Sequence, residues 1–359
     1  MNRGYVISFD VHCQSTEVVV LTPTGRIRCR DRVATGIPQL QALIESVPRP
    51  RDVVIEEGPL SDWLIRHLGA YANAMTSCDP RRNALIAKES DKDDAIDAEK
   101  LGRLYQGGYV RAVHHAETFD RAVFKEVVGL YHDRVRNRVR QANRIMAQLR
   151  RHGVMIQESV FAEKTDRADI LKQLPAHAVV RGNIKMLWEG YDAAVRQVQR
   201  MRRQLSRLAK REPQVKRFTA LPGVKWIRAS TFLAYVDTPW RFRSKEALWK
   251  YLGIGLQRRQ SGQGFERLGV PVVLNKQLKN AILGAAKSAV ASGDNPFADL
   301  YERWLNAGKT PRIARRNVAR SLSAVMWGMW KTGSGYRPEW IDQAVGSANS
   351  RKSKRAGLA

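Results

Sequence analysis

Four carboxylates, Asp10, Glu56, Asp94 and Asp97, sit where they could do chemistry together. Asp10 closes the apolar run YVISFD, and Glu56 closes VVIE. Asp94 and Asp97 stand three apart in KDDAIDAEKL, a spacing that shares one face of a helix. Glu57 is an alternative to Glu56, and Asp91 or Asp93 to Asp94. Singly, an Asp after a strand is ordinarily a turn or cap residue, and a DxxD pair ordinarily a solvated face. Together they would repel one another and raise each other's pKa values, which folding does not favour. Divalent cations resolve that conflict. Mg²⁺ takes hard oxygen ligands and keeps waters and substrate phosphates, and two such ions clamp the attacking and leaving oxygens of a phosphodiester. His12, two residues beyond Asp10, reads as structural rather than as a base.

The elements that must position these acids are legible from periodicity. Residues 5–10 and 16–21 are β-branched strands, the second ending at the turn Thr22-Pro23-Thr24-Gly25, and 26–33 alternates as a third. A helix from 38 to 46 opens on Pro38, which suits a first helical turn. Residues 53–56 form a buried strand, 60–70 a helix and 74–78 a fifth strand. A last helix, 95–105, presents Ala95, Ala98, Leu101 and Leu104 or Tyr105 on one side. The order β-β-β-α-β-α-β-α is that of the ribonuclease-H-like (RuvC-like) fold, an α/β arrangement with helices against a mixed sheet. In that fold the first and fourth strands are neighbours and the last helix crosses them, so the four acids meet at one sheet edge. Alternation from Val54 puts Glu56 on the face opposite Ile55 and Glu57.

Charge separates this region from the rest. The chain of 359 residues carries a formal net charge of +28. Residues 1–110 hold 14 Lys and Arg against 15 Asp and Glu, whereas 111–359 hold 48 against 19. A near-neutral front third is thus joined to a basic remainder that attracts a polyanion and displaces its counterions. Hydrophobic residues make up 43%, which excludes a disordered chain, and no apolar run is long enough to span a bilayer. The N-terminus has no signal-peptide pattern, and Cys13, Cys29 and Cys78 lack metal-binding spacing, so a reducing cytoplasm is expected and no structural zinc.

Beyond residue 110 the pattern is helical. Dense arginine with helix-period apolars (Val123, Val127, Leu130, Val135, Val139, Ile145, Leu149) runs from 119 to 152, and a second such region from 166 to 210. They predict a basic hairpin or coiled-coil arm. Leu221-Pro222-Gly223-Val224 reads either as a hairpin whose glycine exposes backbone N–H groups to a phosphate, assisted by Lys225 and Arg228, or as a helix start with Pro in its first turn. Trp240, Phe242, Trp249 and Tyr251 read as core rather than as base-stacking platforms. A glycine-rich stretch, 253–269, holds Ser261 behind Arg258 and Arg259, whose guanidinium groups suit a phosphate, and ahead of Gly262. No His or Lys base adjoins Ser261. Helices follow over 276–292 and 311–330, and the tail after Gly333 reads as disordered. The expected domains are 1–110, an acidic catalytic domain; 111–215, the arm; 216–332, a mainly helical C-terminal domain; and 333–359, a basic tail.

FDVH at 9–12, VVIEEGP at 53–59, KDDAIDAEKL at 92–101, LPGV at 221–224, LGIG at 252–255, QSG at 260–262 and NKQLKNAILGAA at 275–286 resemble the DEDD-class insertion-sequence transposases related to the Piv/MooV DNA invertases. One departure is Glu57-Gly58-Pro59 where many members have Ala-Thr-Gly. The resemblance implies a metal tetrad at Asp10, Glu56, Asp94 and Asp97, a C-terminal transposase domain, and Ser261 as the nucleophile that holds a cut strand as phosphoserine. It further implies a homo-oligomer whose active site combines subunits. Donor and target DNA, together with a noncoding guide RNA of the bridge type, are the implied partners, met at the bacterial nucleoid. In such a system base pairing reads sequence while the protein reads shape and backbone.

Two other classes fit part of the pattern. A junction-resolvase-like nuclease, hydrolysing with water, explains the acids and charge but gives Ser261 no role. A noncatalytic RNA-binding protein explains the arm and leaves four carboxylates without a purpose.

Overall fold

The computed structural model describes residues 4–79, 94–161, 167–259, 267–269 and 274–341, with backbone alone at 94–95, 158–159, 257–259 and 267–268. The chain divides into two compact units, Met1–Ala116 and Glu117–Ala359. The first boundary lies near residue 110, where the charge balance changes, and the second unit takes in both the long basic helices and the C-terminal helices.

The first unit holds a five-stranded sheet in the order β3-β2-β1-β4-β5. Strands β1 (Tyr5–Val11), β2 (Ser15–Leu21) and β3 (Ile27–Ala34) form an antiparallel meander, and β4 (Arg51–Glu56) and β5 (Ala74–Cys78) run parallel to β1. The expected neighbourhood of first and fourth strands is therefore present. Strand β1 is central because both its faces are apolar. Ile7 and Phe9 pack with Val53 and Ile55 under α1 (Ile37–Ser46) and α2 (Ser61–Leu68). Val6 and Val54 face the other way, onto Ala98 and Leu101 of α3 (Asp94–Gln106).

Helix α3 lies close on the sheet because Gly102 has no side chain. A Cβ there would stand 2.8 Å from Ser8 Oγ and 3.1 Å from Leu21 Cδ1. Ser8 is fully buried and donates its hydroxyl to the Val19 carbonyl, so it has little room to yield. Farther along the helix Tyr105 donates to Asp52 at 3.1 Å, opposite Val6 in the β1–β4 register. These two contacts fix the direction of α3: antiparallel to β1, with its N-terminal turn toward the ends of β1 and β4.

The second unit begins with α4 (Phe119–Arg150), capped by Thr118, whose side chain accepts from the Arg121 amide. A short α5 (Arg167–Lys172) precedes α6 (Ala178–Arg211), and Pro175 lies in the break where a single helix over 166–210 was expected. Helices α4 and α6 run antiparallel: Phe124 and Val127 share a core with Leu205 and Ala209 at one end, and Ile145 and Leu149 with Ile184 and Trp188 at the other. The expected apolar face is interrupted midway, where Leu130 and Val139 are 38% and 45% exposed. At the far end Arg167 makes a two-pronged ion pair with Asp192 (2.7 and 2.6 Å) and stacks 4.3 Å over Trp188. Such bidentate geometry orders the turn better than a point charge does.

The near end of α4–α6 is built into the C-terminal core with α7 (Pro213–Phe218), α8 (Trp226–Val236), α9 (Lys245–Tyr251), α10 (Lys276–Ala291), α11 (Pro296–Asn306) and α12 (Pro311–Thr332). Helix α11 escaped the sequence reading although its signal was present. Asn295 caps it by accepting from the amides of Phe297 and Ala298, and Pro296 opens its first turn. Past Gly333 the expected disorder does not begin at once: Tyr336 stacks on Phe297 and Ile341 is 1% exposed, because this stretch still carries apolar side chains to bury. Residues 342–359 lie outside the described part.

Gly102→Val should destabilise the first unit by about 1–3 kcal/mol through overpacking against Ser8 and Leu21. Urea unfolding should show this as a lower midpoint at unchanged slope.

Candidate functional site

Register brings the first two acids together. Phe9 pairs with Ile55 across parallel strands, so Asp10 and Glu56 follow as the next neighbours and point to one face. That is the face of Val6, Ser8 and Val54, which α3 covers. Gly102 of α3 sits over Ser8, and Asp10 lies about 7 Å farther along β1, a span of roughly four to five helical residues. This reaches the turn of Ala98 and Asp97. The stripe that packs on the sheet comprises Tyr105, Leu101 and Ala98, and by helical spacing alone positions 97 and 94 lie one turn before 101 and 98.

Glu56 and Asp97 are exposed, while the Asp10 side chain is 23% exposed and accepts from His12 Nε2 at 3.2 Å. His12 therefore orients an acid. The side chain of Asp94, together with Asp91 and Asp93, lies outside the described residues. Among the described residues no group of three or more His, Cys, Asp or Glu side chains is placed to hold a metal ion. Asp10 and Glu56 supply hard carboxylate oxygens, the donor type that Mg²⁺ takes alongside waters and phosphate oxygens.

Glu57 has a different environment. Its carboxylate accepts from the Ser77 hydroxyl and stands 3.0 Å from His115 Nε2, an ion contact out of line for a hydrogen bond. The other ring nitrogen of His115 meets Asp62 of α2 at 2.5 Å. Backbone bonds hold this arrangement: Val113 N–H donates to the Ser77 carbonyl and Glu57 N–H to the Cys78 carbonyl. Burial alone would push the imidazolium toward losing its proton, but Glu57 and Asp62 outweigh it and hold the His115 pKa above its ordinary 6.5. Burial would likewise raise Glu57, yet its contacts with His115 and Ser77 bring it below the ordinary 4.5. Nothing in sequence spacing joins residues 57, 62, 77 and 115, and the cluster was missed for that reason.

In the second unit Arg258 and Arg259 lie on β6 (Gln257–Arg259), paired antiparallel with β7 (Arg267–Gly269). Ser261 and Gly262, in the connection between these strands, lie outside the described residues. The root of β6 is firmly held. Ile254 and Gly255 donate to the Trp249 carbonyl, Arg320 Nε donates to the Ile254 carbonyl at 2.8 Å, and Trp249 Nε1 donates to the Arg320 carbonyl at 2.9 Å.

The LPGV turn joins α7 to α8. Gly223, at φ 75°, is wedged against α10, where a Cβ would stand 2.2 Å from the Ala285 carbonyl oxygen and 2.5 Å from the Ala289 nitrogen. Arg228 donates to the Gly223 carbonyl at 2.7 Å and to Ser288 Oγ at 2.9 Å. Both residues thus have packing roles here, with α10 beside the turn. Lys225 is exposed. Of the aromatic stretch expected in the core, Phe242 is buried and Trp249 and Tyr251 pack against it, but Trp240 is 71% exposed.

With this geometry in hand, two comparisons bear on function. Residues 215–302, which run from α7 into α11, match the model described as "Transposase IS116/IS110/IS902 family". Over 316 residues the chain is 24% identical to "Putative transposase y4pF/y4sB" of Sinorhizobium fredii (strain NBRC 101917 / NGR234), covering 87% of this chain and 79% of that one. Among the described residues no helix is long and apolar enough to cross a membrane.

His115→Gln should destabilise the first unit in a pH-dependent way. Because the folded pKa of His115 is raised, its contribution is present in full below pH 6.5, down to where the carboxylates take protons, and is lost as pH rises through the raised value. Unfolding curves of both proteins should therefore converge on the alkaline side. Gly223→Ala should cost the second unit about 2–3 kcal/mol in thermal unfolding, from left-handed backbone strain plus the clash with α10.

Proposed function

We propose, from the premise that the C-terminal unit is similar to insertion-sequence transposases, that this chain recombines donor and target DNA by Mg²⁺-dependent strand cleavage and exchange. The observation that carries the reading is the register of parallel β1 and β4, which makes Asp10 and Glu56 neighbours at the strand ends on the face that α3 covers. The strand order agrees with a ribonuclease-H-like catalytic domain. Asp10, Glu56, Asp94 and Asp97 are the ligands we assign to Mg²⁺, two ions per site. When bound, the ions neutralise charge on the phosphodiester and its departing oxygen.

The chain's own residues supply the rest. Ser261 Oγ attacks the phosphorus of one strand; the Oγ–P bond forms, the P–O bond to the strand end breaks, and the departing oxygen takes up a proton to leave a hydroxyl. The serine proton passes to a carboxylate, since no His or Lys adjoins Ser261 in sequence. A hydroxyl of the second DNA then attacks the phosphoserine, restoring Ser261 and joining the strands. Energy of the phosphodiester is kept in the covalent link, which hydrolysis would discard. Arg258 and Arg259, beside the serine in sequence, are assigned to the phosphate. His12 holds Asp10 in position, and the Ser61 hydroxyl, donated to the Glu56 carbonyl at 3.2 Å, helps fix the end of β4. The basic excess after residue 110 suits long stretches of nucleic-acid backbone. A noncoding RNA guide, a homo-oligomeric assembly and action at the bacterial nucleoid complete the proposal.

Incubating the full chain with donor DNA, target DNA and the RNA transcribed beside its gene in Mg²⁺, followed by denaturation, should reveal a protein–DNA adduct. The adduct should be absent in Ser261→Ala and in Asp10→Ala. Strand cleavage that persists in Ser261→Ala would overturn the serine mechanism in favour of hydrolysis by water.

A further inference from the structure

Trp240 stands on a short turn, Pro239–Arg241, with 71% of its surface exposed. The turn is rigid. Thr238 caps it by accepting from the Trp240 amide, and Trp327 Nε1 donates to the Pro239 carbonyl at 2.7 Å. Lys331 of α12 places its ammonium 3.9 Å from the Trp327 ring centroid and 5.1 Å from that of Trp240, so one cation bridges two indoles. Beside Trp327, an open cavity of about 420 Å³ is lined by Lys245, Val325, Gly328, Thr332 and Trp340.

An indole held at the surface costs hydration free energy unless something covers its face. The flanking charges say what would. Arg241, Arg243, Lys245, Lys331 and Arg337 stand along these segments against Asp237, Glu246 and Glu339. Such a surplus of cations repels a second basic surface and attracts phosphate. A flat π-face between cations is what an unpaired nucleobase and its backbone require: stacking tolerates every base, and the ammonium groups meet the phosphates. Bases inside a duplex do not present that face.

We infer that Trp240, Trp327 and Lys331 form a stacking site for unpaired bases of a DNA strand on the C-terminal unit. The choice of DNA rests on the recombinase reading above, in which cut strands expose unpaired bases. The site lies apart from the acidic edge in sequence and needs neither Asp10 nor Ser261.

Fluorescence anisotropy of a labelled oligodeoxythymidylate tests it, using the full chain in an Asp10→Ala background so that no strand is cut. With a strand of about 15 nucleotides, Trp240→Ala should weaken binding about 5- to 150-fold and change binding of an equal duplex by no more than about two-fold. Trp240→Phe should recover most of the loss, since a smaller ring still stacks. The exposed position of Trp240 keeps the core intact in these variants. Equal losses for single strand and duplex, or no loss, would overturn the site. Tighter Trp240-dependent binding of oligouridylate would overturn the assignment to DNA and point to RNA. Loss of self-association without loss of strand binding would place a second copy of the chain there instead. Because binding is read without cleavage, failure of the adduct experiment and failure of this one are separable.

Discussion

Like charges do not gather unaided, and in the first unit strand register sets two of them side by side. The parallel pairing of β1 and β4 sets Asp10 beside Glu56 because Phe9 pairs with Ile55 one step before. That register is not free to slip. A one-residue shift would send Ile7, Phe9, Val53 and Ile55 from the buried layer under α1 and α2 to the wrong face. Burial of these apolar side chains therefore opposes the electrostatic repulsion between the acids, and a bound cation would then lower it.

The neighbouring glutamates show how one sheet edge assigns different work to adjacent residues. Glu56 closes β4 on the face of Val54, exposed and near the end of α3. Glu57 turns to Ser77 and His115 and is held charged by an imidazole that Asp62 also grips. A carboxylate so engaged makes a poor ligand for a metal, because its partners must be displaced first. It is instead an anchor that ties the end of β4 to β5, to α2 and to the segment that leaves the unit at residue 116.

The second unit solves a different problem, that of keeping many arginines folded. Its long helices bury apolar clusters at both ends of their pairing, and the arginines between them stay at the surface. Where a guanidinium does turn inward, carbonyl oxygens receive it: Arg228 holds the Gly223 carbonyl, and Arg320 holds that of Ile254. In Arg228 and Arg320 burial lowers the pKa, the cost of using a charge as a brace. Arg228, which sequence alone suggests as a phosphate ligand, also braces the turn between α7 and α8.

Periodicity alone determined the strands and helices of the first unit, since alternation and a stripe at helical spacing leave few other ways to bury Ile7, Phe9, Val54 and Leu101. Composition likewise determined the division between a near-neutral front and a basic remainder. Only tertiary structure decided which glutamate turns away, which arginine is internal, and which tryptophan is left at the surface. These outcomes depend on contacts between distant residues, such as Glu57 with His115 and Gly223 with Ala285, and no local spacing encodes them. Helical propensity also did not reveal that the arm would join the C-terminal core, because that depends on which apolar ends meet. Secondary structure follows from neighbours along the chain, whereas a site follows from neighbours in space.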